Sequence, residues 1–268
     1  MKAAGLVARS GSKPIRLRKI DPGATGGATK EAAARRLEKI RAELCELQQI
    51  LYAEHRRSLL IIFQAMDTGG KDGAIKSLCA GINPSGIVVT NFKAPTATEL
   101  DHDFLWRAHR AVPGAGMIGI WNRSHYEDVL VVRVHKLVPA AVWQKRFDQI
   151  NSFEALLAAN GVTLVKFMLH ISRDEQKERL QARLDDPEKW WKFNPRDLED
   201  RARWKDYENA YEEVLNRCGT ERAPWHVVPA DRKWSRNLVV GETVLGVLKK
   251  MAPRYPKPAF DPKAIRIE

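Results

Sequence analysis

Apolar residues recur along this chain in two rhythms, and the two alternate. Leu37, Ile40, Leu44, Leu47 and Leu51 fall three and four residues apart, with Glu and Arg between them. That stripe predicts a long amphipathic helix over 29–56. Apolar, largely β-branched runs follow at 59–64, 87–92, 117–121, 163–171 and 225–229. Helical spacing occupies 71–81, 97–111, 139–159, 172–185, 197–217 and 234–251. Strand–helix alternation predicts an α/β fold: a central parallel sheet between helical layers, with ligands beyond the carboxyl ends of the strands. Residues 67–73, 122–128 and those from Ser172 onward should therefore meet at one edge.

Residues 1–28 have no such period. Their Gly, Ser, Pro and Lys/Arg content predicts a flexible basic arm, ending in the linker Pro22-Gly23-Ala24-Thr25-Gly26-Gly27-Ala28. Residues 29–252 form the expected domain, and 253–268, with four prolines, an irregular tail.

Composition narrows the class. The chain has 268 residues, 44% hydrophobic and 29% charged, enough for a sizeable core. Lys and Arg number 45 against 33 Asp and Glu, a formal charge of +12 that attracts polyanions without choosing among them. Three scattered cysteines without CxxC spacing fit a reducing cytoplasm and argue against disulfides or zinc. The seven histidines lack metal-ligand spacing. No apolar run approaches the ~18 residues of a membrane span, and the basic start lacks a signal-peptide core, so a cytoplasmic protein without a membrane partner is expected.

Chemistry enters at the first strand end. Leu59 to Gln64 runs into Ala65-Met66-Asp67-Thr68-Gly69-Gly70-Lys71-Asp72-Gly73, an apolar strand, a glycine turn and a lysine opening a helix. This is the layout of a P-loop, whose backbone N–H groups and helix N-terminus cradle phosphate. Gly69, Gly70, Asp72 and Gly73 would form the cradle and Lys71 its ammonium. Ala65 and Asp72 depart from the usual pattern, which has Gly at the first position and Ser or Thr after the lysine. The hydroxyl that would hold Mg2+ is absent, and Asp67 is the hard oxygen ligand that could replace it. A plain strand–turn–helix corner is the competing reading.

The strand at 117–121 ends in Asn122-Arg123-Ser124-His125-Tyr126-Glu127-Asp128. Phosphoryl transfer needs a second carboxylate near the metal and a fixed cation near the moving group, which Asp128 and Arg123 could supply. A Ser124–His125–Asp128 hydrolase is discounted, because triads assemble from distant segments and no G-x-S-x-G elbow exists. After the strand at 163–171, Arg173, Arg179 and Arg183 sit on a helix, the last two four apart on one face. Guanidinium forks suit phosphate oxygens, so 173–207 reads as a lid as readily as a solvated helix. Trp190, Trp191 and Trp204 among its cations could stack nucleic-acid bases, but lid packing is the preferred role.

Taken together, Gln64–Gly73, Phe92-Lys93-Ala94-Pro95-Thr96, His102-Asp103-Phe104-Leu105-Trp106-Arg107 and Asn122–Asp128 resemble the polyphosphate kinase 2 family over about residues 30–250. The resemblance implies a P-loop kinase fold with a helical lid, which uses inorganic polyphosphate and Mg2+, with Mn2+ as a possible substitute, to phosphorylate nucleotides. It gives Asp67 the loop-aspartate role, Lys71 the phosphate lysine and Arg123 the arginine of the second segment. Other members have Asp at the position of Asn122; Asn122 with Glu127 and Asp128 is similar to the branch that accepts both nucleoside mono- and diphosphates. Members commonly form homodimers or homotetramers. Polyphosphate would run along Lys93, Arg107, Arg110 and the lid cations, while Asp67 and Asp128 hold metal. The rivals are an ATP-dependent nucleoside monophosphate kinase and, well below it, a basic nucleic-acid-binding protein.

Overall fold

The computed structural model describes residues 6–8 and 13–267. Among these, six strands form one sheet: β1 (Leu6–Ala8), β2 (Ser58–Ala65), β3 (Ile87–Asn91), β4 (Ile118–Asn122), β5 (Val162–His170) and β6 (Trp225–Pro229). Their spatial order is β1-β6-β5-β2-β4-β3. All neighbours are parallel except β1, which runs antiparallel along the β6 edge with Val7 opposite His226.

The central strand explains the layering. Every residue of β2 is buried, as a strand covered on both faces must be. Leu59, Ile61 and Phe63 join the core that α1 (Lys30–Glu54) and α10 (Lys233–Met251) supply from one side. Leu60 and Ile62 point the other way, onto Phe153 and Leu157 of α6 (Ala140–Ala159). The period of two thus divides one apolar run between two layers, giving the three-layer P-loop kinase-like α/β/α architecture.

Strand ends set the remaining helices: α2 (Lys71–Leu78) follows β2, α7 (Arg173–Leu184) follows β5, and α10 follows β6. Helix α1 starts where Thr29 accepts the Ala32 N–H, and α7 where Ser172 accepts that of Glu175. Two expected helices are broken. The segment 97–111 forms α3 (Ala97–Leu100) and α4 (Trp106–Arg110), because Asp103 accepts the Leu105 N–H and restarts the turn. The segment 197–217 forms α8 (Arg196–Ala202) and α9 (Trp204–Arg217), with Arg203 at the junction. A four-residue helix, Val131–Val134, intervenes before α6.

The flexible arm expected over 1–28 requires correction where it is described. Ile15 and Leu17 are core residues, 4% and 1% exposed. Glu212 of α9 accepts the Leu17 N–H at 2.8 Å and pairs with Arg16 at 2.9 Å, while Asn216 accepts the Ile15 N–H. Residues 1–5 and 9–12 of that arm lie outside the described residues. At the other end, 253–267 carries one short 3-10 turn and is mostly exposed, as its prolines predict.

A charged cluster lies inside the core. Lys166 of β5, fully buried, donates to Glu154 at 2.5 Å, to Tyr126 Oη at 2.8 Å and to the Cys218 carbonyl at 2.8 Å. Tyr126 Oη donates in turn to Glu154 at 2.7 Å. The cluster ties the turn His125–Asp128 to the sheet. Replacing Lys166 with Met should cost about 3–5 kcal/mol in urea unfolding, because it strands the Glu154 carboxylate in the core. Adding Glu154→Gln should return part of that loss; a single variant as stable as the wild type would refute this account.

Candidate active site

The carboxyl edge of the sheet opens into a cleft of about 640 Å3, lined from five strand ends. Its floor is the turn between β2 and α2. Thr68 and Gly70 have positive φ values of 59° and 93°, and the Gly69 N–H between them donates to the Met66 carbonyl at 2.9 Å, closing a tight turn. Gly69 is required for another reason: a Cβ there would lie 2.4 Å from that of Ala65 and 2.8 Å from the Met66 carbonyl. The Thr68 hydroxyl is buried without a hydrogen-bond partner, a donor left open inside the loop. Lys71 opens α2 and donates to the Ala65 carbonyl at 3.1 Å. Burial, joined by the nearby Arg123 charge, pulls its ammonium down to about 8, against the pull of Asp67, Glu127 and Asp72.

Arg123 ends β4 in the left-handed region, φ 62°, a strain found where side-chain placement matters. Its guanidinium donates to Asp67 at 2.9 Å. Glu127 and then Asp67 hold that guanidinium well above its ordinary value, against burial. Burial pushes Glu127 up, while Arg123 and Lys71 hold it down. Four expected residues, Asp67, Lys71, Arg123 and Glu127, thus form one coupled group. Asn122 beside them donates to Asp72 at 2.7 Å and to Asn91 at 2.9 Å.

The far wall comes from α7 and from the segment 189–197. Arg179 donates to the Thr68 carbonyl at 3.0 Å and the Ala230 carbonyl at 2.6 Å, and pairs with Glu175. Arg183 lines the cleft and donates to the Lys192 carbonyl at 2.8 Å and to Asp197 at 3.3 Å. Lys93, Gly69, Gly70, Asp72 and Gly73 also line it. Of the three tryptophans expected to pack in this segment, Trp204 is partly buried against the core, whereas Trp190 and Trp191 are 59% and 79% exposed.

Other expected residues lie apart. Asp128 does not line the cleft; its carboxylate faces Arg146 at 2.8 Å, and burial pushes it up to about 6 despite that partner. Its neighbour Glu127, one residue back on a tight 3-10 turn, is also absent from the lining, but it acts on Arg123 and Lys71 from behind the cleft wall. Arg107 lies over the Phe92 ring, pairs with Glu99 and donates to the Lys93 carbonyl, so it supports the wall without forming it. Arg173 is also absent from the lining, and its carbonyl accepts from Arg201.

The cleft adds residues that sequence reasoning passed over: Asn91, Asp197, Lys233 and Arg236. The last two follow β6 in Asp231-Arg232-Lys233-Trp234-Ser235-Arg236. Cations opening a helix after a strand were the available signal.

No group of three or more His, Cys, Asp or Glu side chains gathers as a metal cage among the described residues. A phosphate-bound divalent ion does not need one, since phosphate oxygens and waters complete its shell around one or two carboxylates. Asp67, with the open Thr68 hydroxyl beside it, fits that donor set.

The family model described as Polyphosphate kinase 2 (PPK2) matches residues 27–256. An AMP/ADP-polyphosphate phosphotransferase from Meiothermus ruber is 50% identical over 94% of this chain and 95% of its own length. An ADP-polyphosphate phosphotransferase from Rhodopseudomonas palustris is 48% identical over 80% of this chain and 78% of its own. The crystal structure of Polyphosphate Kinase 2 from Arthrobacter aurescens TC1 superposes with a TM-score of 0.92 at 44% identity, covering 98% of this chain and 97% of that one.

Proposed function

This chain belongs to the polyphosphate kinase 2 family, and from that premise we propose that it moves phosphoryl groups reversibly from inorganic polyphosphate to AMP and ADP. It is a kinase of the phosphotransferase type. The observation that carries the donor assignment is charge: nine Lys and Arg side chains line the cleft against three carboxylates. The excess includes Lys189 and Lys192 beyond the loop, a basic lining that suits a polyanionic chain.

A terminal phosphate oxygen of the nucleotide attacks the end phosphorus of the polymer in line. One P–O bond forms as the anhydride P–O bond breaks, and the chain leaves one phosphate shorter. Little covalent chemistry falls to the protein, so its work is positioning and charge stabilisation. The loop amides and Lys71 hold the transferred group, and Arg123 and Arg179 disperse its charge. Asp67 would hold a divalent metal, Mg2+ in this reading with Mn2+ as substitute, which neutralises phosphate charge when bound. Asn122, on the β3–β4 side, is positioned for the acceptor.

The test offers AMP or ADP with polyphosphate and Mg2+ in the absence of ATP. ADP and ATP should appear in proportion to polyphosphate consumed. Turnover of AMP with ATP alone, and none with polyphosphate, would make the chain an ordinary nucleoside monophosphate kinase.

A further inference from the structure

Helix α10 contributes a cation whose position has no structural explanation in the absence of ligand. Arg236 is 2% exposed, yet its guanidinium reaches the cleft and lies directly on the phosphate loop. A Cβ on Gly70 would come within 2.1 Å of its Nη1, and one on Gly73 within 3.1 Å of its Nη2. Nε and Nη2 donate to Asn237 Oδ1, at 3.1 and 2.8 Å. Nη1 has no hydrogen-bond partner and no carboxylate forms an ion pair with the group among the described residues. Arg179, a charged group acting on it, repels it. An uncompensated buried charge of this kind is costly to a fold. The cost is explained if an anion completes the group when substrate is bound.

Sheet order indicates which anion. β6 and β5 lie on one side of β2, β4 and β3 on the other. Arg236, Lys233 and Arg179 approach the loop from the first side. From the second come the amides Asn91 and Asn122, engaged with Asp72 and each other, with Lys93 and Arg123 beside them, a mixture of polar groups and two cations that suits a nucleotide and its short phosphate tail. We propose that Arg236 binds the polyphosphate donor, its fork taking oxygens of the phosphates seated on Gly70–Gly73 from the β5–β6 side. This rests on the donor reading above and adds to it a residue and an orientation: donor along α10 and α7, acceptor along β3 and β4.

The test compares wild type with Arg236→Met, Arg236→Gln and Arg236→Lys in thermal unfolding and steady-state kinetics. Tripolyphosphate should raise the wild-type Tm and raise that of both neutral variants by clearly less at the same concentration. Loss of a charged hydrogen bond should raise the polyphosphate KM about tenfold to a hundredfold. The KM for AMP should stay within about twofold, the split expected when one substrate alone loses binding energy. Arg236→Lys should recover part of the donor KM but not all, since an ammonium cannot form the fork. Without ligand, the neutral variants should unfold no earlier than wild type. An undiminished Tm rise, an AMP KM that climbs with the donor KM, or failure of both neutral variants to fold would each overturn the proposal. Wild-type turnover with polyphosphate is run in parallel. Its absence sinks the donor reading itself, whereas its presence beside unaffected variants sinks only the role of Arg236.

Discussion

Replacement of Lys71 by alanine should lower kcat about 10²- to 10³-fold, the scale on which a preorganised donor to developing charge is lost. The ammonium sits at the first turn of α2, and its contact to the Ala65 carbonyl orients it over the preceding loop. The fold should survive, because the lysine keeps some solvent exposure and forms no ion pair among the described residues, its one hydrogen bond going to the Ala65 carbonyl. Stability should shift in a direction the charge dictates. The folded protein pulls the ammonium down to about 8, so below that pH folding carries the penalty of keeping it charged. Removing the side chain lifts the penalty, and the alanine variant should be no less stable than wild type at neutral pH. Between about pH 8 and the ordinary lysine range the unfolded chain binds the extra proton, so this group adds stability to the wild type as pH rises through that window. Activity follows the opposite course. Wild-type kcat/KM should fall above about pH 8 as the free enzyme loses the ammonium. The limb in kcat should lie higher, because bound phosphate favours the charged form. An alanine variant with wild-type turnover would remove Lys71 from the chemistry.

That loop was legible because its signals are local. Glycines at the turn, a buried run before it and helical spacing after it all fall within 58–78. The parallel sheet was legible for the same reason, since strands covered on both faces read as unbroken apolar runs. What escaped depends on partners distant in the chain. Asp128 and Glu127 are adjacent and chemically alike, and their division of labour is decided by Arg146 of α6 for one and by Arg123 with Lys71 for the other. Ile15 and Leu17 are only two apolar residues in a basic stretch, too few to show a period, yet Glu212 and Asn216 on α9 pin them. The breaks at 101–105 and at Arg203 escaped because side chains and carbonyls cap across a spacing that stays helical by eye. Arg236 carries no local signal beyond being a cation near a helix start. Only the closeness of α10 to α2 brings it over the loop.

Removing the Arg123 side chain should have the largest effect on the chemistry, a fall in kcat of about 10³-fold or more, as for arginines that stabilise a transferring phosphoryl group. The guanidinium is held by two carboxylates, donating to Asp67 at 2.9 Å with Glu127 acting on it as well. Its backbone is fixed as well, for the Arg123 N–H donates to the Phe63 carbonyl at 3.0 Å while φ stays at 62°. Two substitutions separate these contributions. Arg123→Ala keeps the left-handed strain and Arg123→Gly relieves it, so the glycine variant should be more stable by about 1 kcal/mol while losing the same activity. Arg123→Lys should recover little, because one ammonium cannot serve Asp67 and a phosphate oxygen together. The coupled charges add a further readout. Arg123 is the main cation depressing the Lys71 ammonium, so deleting it leaves Asp67, Glu127 and Asp72 to pull the lysine back up. The alkaline limb of kcat/KM should therefore move above about pH 8 in the residual activity of Arg123→Ala. A limb that stays in place would mean that Lys71 and Arg123 do not share one charged site, and the assembly of cations around the loop would lose its electrostatic basis.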